Sequence, residues 1–163
     1  MSTAEATARD VLDSLYGEGV RPLPIDPVQV ARALGVNVFG ADFENSLSGM
    51  IAKLEAGGDV EIFVNTTHAP VRQRFTTAHE LGHYFSEKSK GEDRPYVHRR
   101  DALSACGTAG EEIFANQFAA ELLMPAAEVR RLHALGFSRV DLANRFQVSL
   151  DALGHRLANL GLS

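Results

Sequence analysis

The stretch Phe75-Thr76-Thr77-Ala78-His79-Glu80-Leu81-Gly82-His83 constrains this chain more than any other. On a helix, side chains four residues apart lie one turn apart on one face, so His79 and His83 can reach a common point with Glu80 standing beside it. Two imidazoles and an adjacent carboxylate at this spacing predict a metal-dependent hydrolytic centre. The histidines would be ligands, a third protein ligand would complete the set, and Glu80 would act as the base toward water. A fold that serves this purpose must bury the helix and bring a second element against it.

The surrounding chain can do so. It has 163 residues, 45% of them hydrophobic, which suits a single α+β domain, divided here into a catalytic core over 1–125 and a C-terminal helical segment over 126–163. A net charge of -5 argues against a chain built mainly to hold nucleic acid or an anionic membrane. Cys106 is the single cysteine, the N-terminus is polar, and no apolar run is long enough to span a bilayer; the expected location is cytoplasmic. The sequence carries no signal for an oligomeric state.

Ser2 and Glu5 form a capping box for a first helix that stops at Gly17, and Asp26-Pro27 opens a second that stops at Gly35. Residues 36–39, 47–54 and 60–64 read as strands of a small antiparallel sheet, with Gly57-Gly58 as a hairpin turn. Pro70 opens the helix that carries the histidines, to about Glu87, and Gly82 within it predicts close packing against a neighbouring backbone. Residues 88–110 are polar and charged and read as a long loop. A mostly apolar helix then runs from Glu111 or Glu112 to Met124, and Pro125 starts another ending at Gly136. Ser138 and Ser149 cap two short helices in a helix-turn-helix-like pair.

The third ligand cannot be a histidine six residues beyond His83, because that position is Ser89. Glu87 shares the helix face, but three ligands along one straight helix cannot surround an ion. Glu111 and Glu112 open the next buried helix. Glu112 is preferred, because Asn116 one turn on can bond the free ring nitrogen of a ligand histidine, an outer-shell support. Both acids would also sit well in a helix's first turn for electrostatic reasons alone. Zinc is the first expectation from nitrogen and oxygen ligands, and the same set accepts manganese or iron.

Two blocks together carry a resemblance. Arg72-Gln73-Arg74-Phe75-Thr76-x-Ala78-His79-Glu80-Leu81-Gly82-His83 is followed by Glu112-x-x-Ala115-Asn116-x-Phe118-Ala119-Ala120-x-Leu122-Leu123-Met124-Pro125. The chain resembles the ImmA/IrrE family of metallopeptidases from Asp26-Pro27 to the terminal Leu153-x-x-Arg156-Leu157-x-x-Leu160-Gly161 segment. The resemblance implies a zincin-like domain in which the His-bearing and Glu-bearing helices hold the metal. It also implies cleavage of a helix-turn-helix repressor, releasing prophage, mobile-element or stress genes. Larger relatives carry added DNA-binding or sensor-like domains.

A second donor to the oxyanion is expected, with His98 and Tyr96 first and Tyr84 and His68 behind them. Cys106, six residues before Glu112, offers a thiolate that would cap the metal; as an ordinary loop residue it would do nothing. Arg72, Arg74, Arg99 and Arg100 read as solvated or ion-paired, with a peptide contact as the sharper reading for Arg99 or Arg100. Residues 126–163 hold five arginines against three acids, too weak an excess for direct DNA binding. Two rival readings are a metal-containing module that sequesters a repressor without cutting it, and a DNA-binding regulator using the C-terminal helices.

Overall fold

The computed structural model describes residues 1–44, 47–101 and 107–162. Their elements are α1 (Thr3–Tyr16), α2 (Pro27–Ala33), β1 (Val36–Ala41), β2 (Leu47–Lys53), β3 (Val60–Asn65), α3 (Pro70–Ser89), β4 (Tyr96–Asp101), α4 (Ala109–Leu123), α5 (Ala126–Ala134), α6 (Arg139–Phe146) and α7 (Leu150–Asn159). The class is α+β, as expected, and helix termini follow the local chemistry. Capping boxes form at Ser2 with Glu5, at Thr108 with Glu111 and at Ser138 with Asp141, while Asp26 and Ser149 cap α2 and α7. Among the described residues no helix is long and apolar enough to cross a membrane.

The sheet departs from the sequence reading in two ways. Its order is β1-β3-β2-β4, and β1 runs parallel to β3, so it is mixed rather than antiparallel throughout. The β2–β3 hairpin forms as expected, with Gly57 at φ 72° and Gly58 donating to the Glu55 carbonyl. The chain after β1 crosses over before this hairpin, and β1 fills the hairpin's free β3 edge. The second departure is β4, which occupies part of the segment read as a long loop and pairs antiparallel with β2. Its periodicity is inverted relative to an ordinary half-buried strand. Tyr96, His98 and Arg100 are half-buried, whereas Val97 is 47% exposed. A search for alternating apolar residues cannot find a strand whose inward face is polar.

Two close approaches fix α3. A Cβ on Gly82 would lie 2.6 Å from the Cα of Ala115, so α3 and α4 cross backbone against backbone where the sequence predicted a tight contact. A Cβ on Gly49 would lie 2.4 Å from Cγ2 of Thr76 and 3.7 Å from Cγ of Glu80, so β2 lies directly on the helix beside the motif. The core around this crossing joins Leu12 and Val11 of α1, Ile51 and Ile62 of the sheet, Leu81 of α3, and Phe118 and Leu122 of α4. Burying a large side chain of this kind contributes about 1.5–3 kcal/mol.

Buried ionic and polar contacts tie the C-terminal helices to the rest. Arg156 of α7 donates from Nε to the Met124 carbonyl and from Nη1 to Glu5 at 3.1 Å, and pairs through Nη2 with Glu121. Arg74 of α3 was expected to be solvated or ion-paired; instead it donates to the carbonyls of Ile25, Phe146 and Gln147. The last two belong to the α6 terminus, whose carbonyls have no partner within the helix and are met by this guanidinium.

Candidate metal centre

The α3–α4 crossing brings three side chains together. His79 and His83 project from α3, and Glu112 reaches across from the first turn of α4, one turn before the Ala115 contact. The Glu112 carboxylate lies 3.3 Å from Nε2 of His79 and 3.0 Å from Nε2 of His83, and the two Nε2 atoms are 3.1 Å apart. One donor atom from each residue lies within 4.8 Å of the others, the arrangement of a small cation site. Two donors on a tetrahedral zinc with ordinary bonds are separated by about 3.3 Å, so these residues fit such an ion. Electron-rich atoms facing one another at this distance repel unless a proton or a cation lies between them.

The surroundings favour the cation. Asn116 Oδ1 is 3.0 Å from Nδ1 of His79 and accepts its proton, which leaves Nε2 of His79 with a lone pair turned to the centre. Burial lowers the pKa of His79, and burial followed by the His79 charge lowers that of His83 to about 4, so both rings are neutral at pH 7. Nδ1 of His83 is buried without a hydrogen-bond partner among the described residues; its ring is held by His98, stacked at 5.0 Å and 8°. Glu112 is held below the ordinary carboxylate range by its His79 contact, and thus ionised.

Glu111 serves elsewhere. It accepts from the Thr108 amide and pairs with Lys90 at 2.6 Å, and Lys90 first and Thr108 second bring its pKa down to about 2. Glu80 sits between the histidines with 1% exposure and no hydrogen bond to either carboxylate oxygen among the described residues. Burial pushes its pKa up to about 8, against the pull of nearby Arg100. An unpartnered buried carboxyl is costly, and this one stands beside three convergent donors.

The remaining candidates separate along β4 and α3. His98 meets Glu87 at 2.7 Å, and Tyr96 lies beside it, with rings 5.8 Å apart and its hydroxyl pushed up to about 12 by burial. Tyr84 stands beneath the Lys88 ammonium, and Nε2 of His68 lies 3.4 Å from the Asn65 amide in the turn before α3. Cys106 lies outside the described residues. The reading of the sequence underweighted Arg100, which the structure places over the Phe75 ring at 5.7 Å and within electrostatic reach of His79, Glu80 and Glu112.

A cleft of about 910 Å³ opens beside the centre. Phe75, Arg100 and Asn116 line it together with Asp151, His155 and Asn159 of α7, so the helix-turn-helix-like segment forms part of its wall.

Residues 31–158 match the family described as the IrrE N-terminal-like domain, Peptidase_M78. The chain belongs to this family. The IrrE-like fold is also found in a Mycobacterium tuberculosis transcriptional regulator, superposing at TM-score 0.66 with 20% identity over 97% of this chain. The chain spans 47% of that protein's length. Among proteins of curated function, none matches the sequence.

Proposed function

We propose that the chain is a metal-dependent endopeptidase in which His79, His83 and Glu112 hold the ion and Glu80 is the general base. The observation that carries the reading is the convergence of three donor atoms within 4.8 Å beside a buried carboxylate with both oxygens unspent. A divalent ion held there supplies Lewis-acid polarisation and brings a water's pKa toward neutrality. Glu80 takes a proton from the attacking water and returns it to the departing amine nitrogen, a task suited to a carboxylate whose proton affinity burial has raised. Asn116 fixes the His79 tautomer, and the cleft between Phe75 and α7 receives the peptide.

The partner we infer is a helix-turn-helix repressor, with derepression of prophage, mobile-element or stress genes as the consequence. Support comes from the family resemblance, and the similar fold within a transcriptional regulator is consistent with it. Zinc is the proposed ion on its ligand set.

Metal content by plasma mass spectrometry tests the centre. Near one ion per chain is expected in the wild type and in Glu111→Ala, with loss in Glu112→Ala; equal content in all three would refute the ligand assignment. New protein N-termini in cells expressing the wild type but not Glu80→Gln would identify the cut partner. Identical N-termini in both would count against cleavage and favour sequestration.

A further inference from the structure

We propose that Arg100 is a catalytic residue, the side-chain donor that meets the carbonyl oxygen of the scissile peptide bond as it becomes negative. This rests on the peptidase reading and adds a residue to it. Attack by water forms a bond to the carbonyl carbon, moves the π pair onto oxygen and passes a proton to Glu80. When the pair returns, the C–N bond breaks and Glu80 gives the proton to the amine. Between these steps the oxygen carries a full charge, and a donor already in place stabilises it most.

Arg100 meets the structural requirements. It alternates with His98 on the inward face of β4, one step further toward the cleft, which it lines together with Phe75 and Asn116. Its guanidinium lies 5.7 Å from the Phe75 ring centroid, a shelf that holds a planar cation in position. Glu80 and Glu112 attract its guanidinium and Arg72 repels it, and among the described residues the side chain's one partner is the Phe75 ring. Its donors therefore remain available on the wall of the cleft, which it shares with Asn116, the residue bonded to His79. The rival donors stand away from the cleft lining: His98 meets Glu87 and stacks on His83, Tyr96 packs its ring against His98, Tyr84 lies under Lys88, and His68 sits beside Asn65 in the turn before α3.

The test uses metal-loaded wild type, Arg100→Gln and Arg100→Lys, with two probes. Calorimetric titration with N-phosphoryl-leucinamide, a tetrahedral anion, reads the donor without turnover. Affinity is expected to fall at least tenfold in Arg100→Gln and to recover partly in Arg100→Lys, with metal content unchanged. An end-blocked degenerate decapeptide library supplies the best-cut peptide, on which Arg100→Gln is expected to lower kcat by about 10²–10³-fold with little change in KM. Equal phosphoryl affinity in wild type and Arg100→Gln, or no binding by wild type, overturns the assignment. So does a loss confined to KM, or a lowered Tm with unchanged phosphoryl affinity. A wild type that binds metal and the phosphoryl probe through Arg100 yet cuts no library peptide would instead count against the peptidase reading.

Discussion

Helix α4 carries Glu112 toward its N-terminal end and Glu121 toward its C-terminal end, and the structure treats the two in opposite ways. At the C-terminal end, Glu121 is 2% exposed and every neighbour answers it: Arg156 pairs with it, Arg9 lies at 3.8 Å, and the Ala126 amide donates to it. Arg156 is in turn satisfied by Glu5 and the Met124 carbonyl. At the N-terminal end, Glu112 faces two neutral imidazoles, and nearby Glu80 has no hydrogen-bond partner among the described residues. Both regions bury charge, but only one is electrostatically closed. Burial alone thus does not distinguish the two clusters; the unspent valences do.

The sharpest way to break this contrast is to remove one group from each region. Glu80→Gln is expected to lower kcat by about 10²–10⁴-fold, while above about pH 8, where the buried Glu80 ionises, the melting temperature of the metal-free protein holds or rises, because an unpaired buried carboxylate is replaced by a neutral amide. Arg156→Ala should instead cost about 3–5 kcal/mol by stranding Glu121 and Glu5, read by urea unfolding. If Glu80→Gln destabilised as much as Arg156→Ala, the two clusters would be alike and the distinction would fail.

A smaller effect is expected at the crossing that holds the open cluster together. Gly82→Ala drives a methyl into the Ala115 backbone, at about 1–3 kcal/mol, and should weaken metal binding although no ligand changes. Unaltered metal affinity would mean that α4 yields without carrying Glu112 with it.

The smallest effect is in pH dependence. A carboxyl whose folded pKa is raised to about 8 binds more protons folded than unfolded, so its contribution to stability falls as pH rises from the unfolded carboxylate range through 8. The histidines, whose folded pKa values are lowered, work in the opposite sense at lower pH and are neutral in both states above their unfolded range. Between about pH 6.5 and 8, metal-free wild type should therefore lose melting temperature relative to Glu80→Gln. Parallel curves would show that Glu80 is already ionised in the fold.

The open cluster was also the more legible in sequence. His79, Glu80 and His83 are bound by helix periodicity, and Glu112 could be singled out from Glu111 because Asn116 follows it by one turn. Caps at Ser2, Asp26, Ser138 and Ser149 were readable for the same reason, since each signal lies within four residues. Arg156 could not be read, because its partners Glu121 and Glu5 are 35 and 151 residues away. The parallel β1–β3 pair likewise depends on which edge is left free, not on any local pattern. Arg100 was obscured by a strand whose polar residues face inward, and Arg74 by carbonyls that only the folded α6 terminus presents.

The absent methyl at Gly82 also bears on how the two helices present their donors. Because α3 and α4 touch backbone to backbone, Glu112 stands 3.0–3.3 Å from two histidine nitrogens that α3 itself places 3.1 Å apart. Two nitrogens and a carboxylate suit an ion that takes few, mixed ligands with bonds of about 2.0–2.2 Å, and not calcium, which demands six or more oxygens. A single hydrogen atom in place of a side chain thus sets how closely the carboxylate of one helix can approach the imidazoles of the other.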